Sequence, residues 1–277
     1  MGQMKKKYSV NGMWYVLLAF YAVIAVFPFA WMLLSSIKPA SEVMAYPPTI
    51  IPKHITLDNY KKAWSTIAFA KYFKNSAFIT ILATSSVVVT SLFAAYSLII
   101  IKIKGQAFVY ALVMFGLIVP VQTSFIPIFM LINKLHLIDT YVGVFLPYLT
   151  SAFGVFILSQ FLRSIPVDLI DAARIDGLGE LGIIFKIVTP LSKPGLLTLI
   201  IFTFMNIWKD FFWPFLLLNT DDKRTLPLGI VKFWQSESPD YGTILAAGII
   251  AMIPLIVMYA VFQKQFIQGI AFSGIKE

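Results

Sequence analysis

The chain has no cysteine among its 277 residues. That absence excludes disulfides, thiolate metal ligands and cysteine nucleophiles together, and it says little about compartment, because a chain packed in a bilayer needs no such staples. Charge is scarce too, at 13% of residues against 59% hydrophobic residues and a mean hydropathy of +0.83. This balance excludes an ordinary soluble domain and makes lipid the expected solvent. The two histidines, His54 and His136, have no second ligand near them in sequence, so both read as ordinary polar residues and no metal site is expected. No Gly-x-x-x-x-Gly-Lys-Ser/Thr segment occurs, which removes the usual phosphate loop and with it an ATP site on this chain. A net charge of +9 would suggest nucleic acid in a soluble protein. Here the Lys and Arg are spread over short loops, where they set topology and meet anionic lipid head groups, and nucleic acid is not an expected partner.

What the chain has instead is long apolar runs. Its 25 Phe, 10 Met and 6 Trp fall in uninterrupted stretches rather than in the alternation of a half-buried strand, which favours spanning helices over a β-barrel. A hydrocarbon core of about 30 Å needs about 20 apolar residues at a rise of about 1.5 Å each. Six segments meet that ruler, at roughly 14–36, 77–101, 107–133, 141–162, 195–218 and 243–262. The expected fold class is an all-α integral membrane protein with six transmembrane helices, forming a single transmembrane domain over residues 1–277. Lys5, Lys6 and Lys7 precede the first segment as they would in a signal peptide, but its apolar length is too great and no small-residue cleavage site closes it. Counting bases leaves the orientation tied: Lys38, Lys53, Lys61, Lys62, Lys71 and Lys74 on one side offset Lys5 to Lys7, Lys102, Lys104, Arg163, Arg174, Lys186 and Lys193 on the other. The first helix and the short Lys102–Gly105 turn carry more topogenic weight, which favours cytoplasmic termini.

Polar residues at bilayer depth mark two candidate pathway positions, since an unpaired polar group in hydrocarbon is costly. In the third segment, Gln122, Thr123 and Ser124 lie between Pro120 and Pro127. They read either as a broken-helix gate or as a packed kink whose hydroxyls bond back to their own helix. In the fifth, Asn206 and Asp210 are spaced to share a helical face among Trp and Phe rings. They read either as a polar cavity lining or, with Lys209, as side chains snorkelling to the outer interface beside an aromatic belt.

The stretch 163–194, RSIPVDLIDAARIDGLGELGIIFKIVTPLSKP, is the most informative. Pro166 near its start and Gly177 predict two short helices, with Pro190 and Pro194 breaking the second before the chain returns to lipid. Ile170, Ala173, Leu178, Leu181, Ile184 and Phe185 form an apolar stripe, and Asp171, Arg174, Asp176 and Glu180 occupy the remainder. An interfacial lipid-binding helix would carry an excess of bases, whereas acids and bases balance here. A pair of helices that dock a protein partner fits the small residues Ala172, Ala173, Gly177, Gly179 and Gly182, which permit close backbone approach. A catalytic carboxylate cluster lacks any supporting His, Ser or metal-ligand spacing.

The string DAARIDG, followed after a spacer by TPLSKP, resembles the cytoplasmic motif of ABC importer permeases: Glu-Ala-Ala, three residues, Gly, nine residues, Ile-x-Leu-Pro. Ala172, Ala173 and Gly177 match it, as do Ile187 and Pro190, while Asp171 replaces the usual Glu and Thr189 the usual Leu. Further tags at 56–60, 126–127, 137–141, 213–214 with Asn219, 225–229 and 266–269 are similar to those of sugar-importer permeases, in particular the smaller permease of the maltose type. The resemblance implies that residues 163–194 hold a cytoplasmic coupling helix between spans four and five, docked on an ATPase subunit through Asp171, Ala172, Ala173, Arg174, Asp176, Gly177, Glu180 and Pro190. It implies a non-enzymatic permease in the cell membrane, multi-pass with both termini cytoplasmic, carrying a di- or oligosaccharide. Its implied partners are a second homologous permease, two cytoplasmic ATPase subunits that hold ATP and Mg, and an external sugar-binding protein toward which the loop 219–241 would reach. No cofactor is expected on this chain itself. The alternatives are a secondary ion-coupled transporter and a permease for a non-sugar solute such as glycerol phosphate.

Overall fold

The computed structural model describes residues 12–235 and 239–274. The Lys5–Lys7 cluster lies outside the described residues, as do the side chains from 264 onward, including those of the 266–269 tag. The described residues are helical throughout, joined by turns, with no strand among them.

Among the described residues, three helices are long and apolar enough to cross a membrane: Gly12–Ser36, Phe69–Ile101 and Tyr241–Gln263. Three bent pairs reach that length only when their two arms are taken together: Gln106–Ile118 with Val121–Lys134 at 98°, Tyr141–Tyr148 with Ala152–Arg163 at 43°, and Glu180–Leu191 with Lys193–Trp208 at 81°. Each bend has a local cause. Pro120 offers no amide and disfavours a helical residue before it, and Val119 and Pro120 are both extended, with ψ of 123° and 125°. Ser151 leaves the helical region and its Oγ accepts the Gly154 amide at 3.2 Å, so a new helix starts there.

At the third bend the structure departs from the expectation that Pro190 ends its helix. Pro190 sits inside the arm Glu180–Leu191, and the chain turns at Ser192 instead. The turn immediately before it, Ile184–Val188, is a wider π-type turn that accommodates the missing donor and the proline ring. Pro194 lies in the first turn of Lys193–Trp208, where no amide is required. The expected fifth span, 195–218, is itself interrupted: the helix ends at Trp208 and a second one, Phe212–Leu217, follows.

The chain divides into two compact units, Met1–Ile67 with Ile230–Ile250 and Ala68–Gly229 with Ala251–Glu277. In the first, buried Asn59 donates to the Ser36 and Lys38 carbonyls at 2.8 and 2.7 Å and so satisfies the C-terminal end of the helix Gly12–Ser36. Gly242 packs against that amide, and Lys62 pairs with Asp240 at 3.1 Å. Asp240 is held below the usual carboxylate range: burial opposes the charge, but the Lys62 bond and the Thr243 amide outweigh it.

In the second unit the long helix Phe69–Tyr96 packs along Ala152–Arg163 and Lys193–Trp208. Gly154 lets the backbone approach the Ser91 side chain closely. One core joins Leu92, Ala95, Leu158, Leu162, Ile183 and Leu199, and another joins Ile79, Ile132, Val144, Trp213 and Leu217. Asp139 ties this unit's loops together by accepting the Asn219 and Thr220 amides at 2.9 Å and the Lys223 ammonium at 3.0 Å. Donation from the Thr220 hydroxyl, then its amide and Lys223, holds the Asp139 carboxyl well below its usual range.

Candidate functional site

Two polar sites stand out in the second unit. The first is the loop 163–194. Pro166 precedes a helix at Val167–Ile175 that carries Asp168 in its first turn and Arg174 in its last, both favourable against the helix dipole. Gly177, at φ +82°, closes it: the Gly177 amide donates to the Arg174 carbonyl and the Leu178 amide to the Ala173 carbonyl, each at 3.0 Å. This is the paired-bond C-terminal cap that a left-handed residue makes possible, and it explains why glycine stands there. Ile170 and Ala173 are buried in the core that also holds Ala95, Leu162 and Ile183, so one face of this short helix is bound to the bundle. Asp171, Ala172, Arg174 and Asp176 lie on its exposed surface, alongside exposed Val167, Leu169 and Ile175.

Arg174 organises the charges. It pairs with Asp171 at 3.3 Å and with Glu180 at 3.1 Å. The Tyr96 hydroxyl, on the helix Phe69–Tyr96, donates to the other Glu180 oxygen. Glu180 is therefore held below the ordinary carboxylate range, first by Tyr96 and then by Arg174, while Glu180 raises Arg174 in turn. Of the residues expected to act in this loop, the structure brings Asp171, Arg174 and Glu180 together, places Ala173 in the core and Gly177 at the cap, and leaves Pro190 exposed on the next helical arm.

The second site is a cavity of about 460 Å³. Phe125, Tyr148, Phe153, Phe202, Phe212 and Trp213 supply its aromatic wall, and Thr150, Ser151, Thr203, Asn206 and Asp210 its polar groups. The wall is ordered by ring contacts, with Phe125 stacked on Phe212 at 4.2 Å and Phe153 edge-on to Phe202 at 5.9 Å. Asp210 lies just past the end of the helix Lys193–Trp208. One of its oxygens accepts the Phe212 amide at 2.9 Å, and the other accepts the Tyr148 hydroxyl from a different bent pair. Tyr148, Ile207 and Asp210 also line a smaller chamber with Ser76, Thr80 and Thr225, so the Tyr148–Asp210 bond stands between two hollows.

Asn206 and Asp210 both line this cavity. The turn Val121–Ser124 is different. Val121 and Phe125 on either side line the cavity, Gln122 and Thr123 are exposed, Ser124 is half-buried, and the Thr123 hydroxyl bonds back to the Pro120 carbonyl at 2.8 Å. Sequence reading missed Tyr148 and Tyr96. No local pattern marks either, because their partners lie 62 and 84 residues away. Asp210 carried an unread signal: an Asp immediately before an apolar run is a helix-start residue.

Residues 86–272 match the family described as "Binding-protein-dependent transport system inner membrane component". The chain is 34% identical to the arabinooligosaccharides transport system permease protein of Halalkalibacterium halodurans, over 99% of this chain and 100% of that one. It is 33% identical to the diacetylchitobiose uptake system permease protein of Streptomyces coelicolor, over 91% of this chain and 84% of that one. In fold it is similar to a chain of a bacterial ABC transporter involved in the import of the acidic polysaccharide alginate, with a TM-score of 0.84, 23% identity, and coverage of 96% of this chain and 100% of that one.

Proposed function

We propose a working mechanism from the premise that this chain belongs to the family of binding-protein-dependent transport system inner membrane components and is a permease subunit of a carbohydrate importer. The cargo is a di- or oligosaccharide, as the names of the two relatives suggest. The three long helices, the bent pairs Gln106–Ile118 with Val121–Lys134 and Tyr141–Tyr148 with Ala152–Arg163, and the segment 195–218 act as six spans, with both termini and the loop 163–194, including the arm Glu180–Leu191, on the cytoplasmic side. A second homologous permease completes the pore, two ATPase subunits hold ATP and Mg, and an external binding protein delivers the sugar.

The observation that carries this reading is the build of the loop 163–194. A short helix is fixed to the bundle through Ile170 and Ala173 and presents Asp171, Arg174 and Asp176 outward beside exposed apolar side chains. Such a face suits a protein partner. Its charged cluster is linked through Glu180 to Tyr96 on a spanning helix, so a push on the loop has a direct route into the bundle. Glu180 and Pro190 support the far side of the docking element. In the bundle, Asn206 and Asp210 line the sugar path, with Gln122, Thr123 and Ser124 at the Pro120 bend forming its gate.

The test is uptake of a labelled oligosaccharide into vesicles that hold the assembled importer. Uptake should require ATP inside and the binding protein outside. Uptake that persists without ATP hydrolysis and collapses with an ion gradient would overturn this reading in favour of a secondary carrier.

A further inference from the structure

We infer that the cavity beside Asn206 accepts uncharged oligosaccharides and discriminates against acidic ones, and that Asp210 is the residue that sets this preference. The inference rests on the cavity being part of the sugar path. Among the residues that line it, Asp210 is the one acid, and no Lys, Arg or His is present to receive an anion. Lys209, its neighbour in sequence, is exposed and is not part of the lining.

Both carboxyl oxygens of Asp210 are acceptors, one from the Phe212 amide and one from the Tyr148 hydroxyl, which fixes the group in the wall of the cavity. Each oxygen keeps a lone pair that a sugar hydroxyl can use. The remaining polar groups, Thr150, Ser151, Thr203 and Asn206, are neutral and can donate and accept, which suits hydroxyls. The rings of Phe202, Phe212 and Trp213 offer apolar faces to the carbon side of a sugar ring.

A uronate meets the opposite conditions. Its carboxylate would leave water for a largely aromatic wall, find no cation, and face a fixed like charge with little screening. Two like charges a few ångströms apart at the effective dielectric of a protein surface give a preference on the order of tenfold or more.

The experiment is equilibrium binding to the assembled importer in nanodiscs without the binding protein, so that this selectivity is not masked by the delivery step. The probes are arabinotriose and diacetylchitobiose, each paired with a counterpart carrying one terminal uronate. The native importer should bind a neutral probe at least about tenfold more tightly than its acidic counterpart. Asp210→Asn keeps an acceptor for Tyr148 and should shrink the ratio by raising affinity for the acidic probe. Asn206→Asp, at an exposed wall position, should widen it and serves if the first variant fails to assemble. An unchanged ratio in both variants, a native preference for the acidic probe, or no binding of either neutral sugar would overturn the inference. ATP-driven uptake by the same importer reconstituted in vesicles, with ATP inside and the binding protein outside, reports separately on the transport reading: uptake with an unchanged ratio rejects the role of Asp210 alone, and intact ATP hydrolysis without uptake rejects the function.

Discussion

In the loop 163–194 the ion pairs join close neighbours in sequence and a single long-range bond, Tyr96 to Glu180, ties them to the bundle, whereas in the cavity the polar and aromatic groups are brought together across the chain. Arg174 pairs with residues 3 and 6 positions away, whereas the Asp210 carboxylate takes its hydroxyl donor from 62 positions away. The loop is mostly exposed, and its ion pairs are screened and individually weak. The cavity has aromatic walls, one acid and no base. The loop is thus a surface shaped by local chain geometry, and the cavity is a chemical environment made by tertiary packing. A mutation in the loop should therefore act through backbone shape and alter coupling, while a mutation in the cavity should act through electrostatics and alter sugar preference.

The sharpest way to break that division is Gly177→Pro. The substitution forces φ from +82° to about −65° and removes the amide that bonds Arg174, so both elements of the cap are lost. Strain of this kind costs on the order of 1–3 kcal/mol locally. Uptake should fall by more than an order of magnitude while ATP hydrolysis by the complex continues and the chain still inserts. The checks are the ratio of sugar imported to ATP hydrolysed and the amount of assembled complex. Normal uptake in this variant would remove the loop from the coupling path.

The same contrast explains what could be read in advance. Helix ends and caps depend on a few neighbouring residues, so Pro166 and Gly177 announced the short helix, and Pro120 announced the 98° bend. Apolar length marked where the long segments lie. Pro190 misled, because a π-type turn can absorb a proline inside a helix and no local pattern forecasts that turn. The break after Trp208 was likewise missed, since tertiary contacts with Tyr148 help hold Asp210 outside the helix. Asn206 and Asp210 were recognisable as polar residues in an apolar run, but the aromatic residues around them come from four separate stretches that only the fold assembles.

A finer test pairs two hydroxyl deletions. Tyr96→Phe removes the donor that links a spanning helix to Glu180, and Tyr148→Phe removes the donor to Asp210. A hydrogen bond to a charged group contributes about 1.5–3 kcal/mol when buried and less at a partly exposed site. Tyr96→Phe should lower the ratio of transport to hydrolysis about two- to fivefold with sugar affinity unchanged. Tyr148→Phe should shift sugar affinity by about tenfold and leave hydrolysis unaltered. If the two variants changed the same parameter, the loop and the cavity would be one functional unit and the division would be wrong.

The smallest effect concerns acid. Glu180 has its carboxyl lowered from an ordinary value of 4.5, chiefly by the Tyr96 hydroxyl and then by Arg174. A group whose folded pKa is depressed contributes stability in full above its unfolded value and loses it as pH falls through the folded value. The loop should therefore keep its shape from neutral pH down to about 4.5 and loosen only below it. Because the chain has no cysteine, one nitroxide on Ala172→Cys, an exposed site on the short helix, reports on that helix alone. Its spectrum should sharpen modestly below pH about 4.5 and revert on neutralisation. With Glu180→Gln added, the label should be more mobile at neutral pH and the acid step should vanish, since the carboxylate that Tyr96 and Arg174 hold is gone. An acid step that survives Glu180→Gln would assign it to other acids of the cluster, Asp171 or Asp176, and would show that the Tyr96–Glu180 bond does not hold the loop.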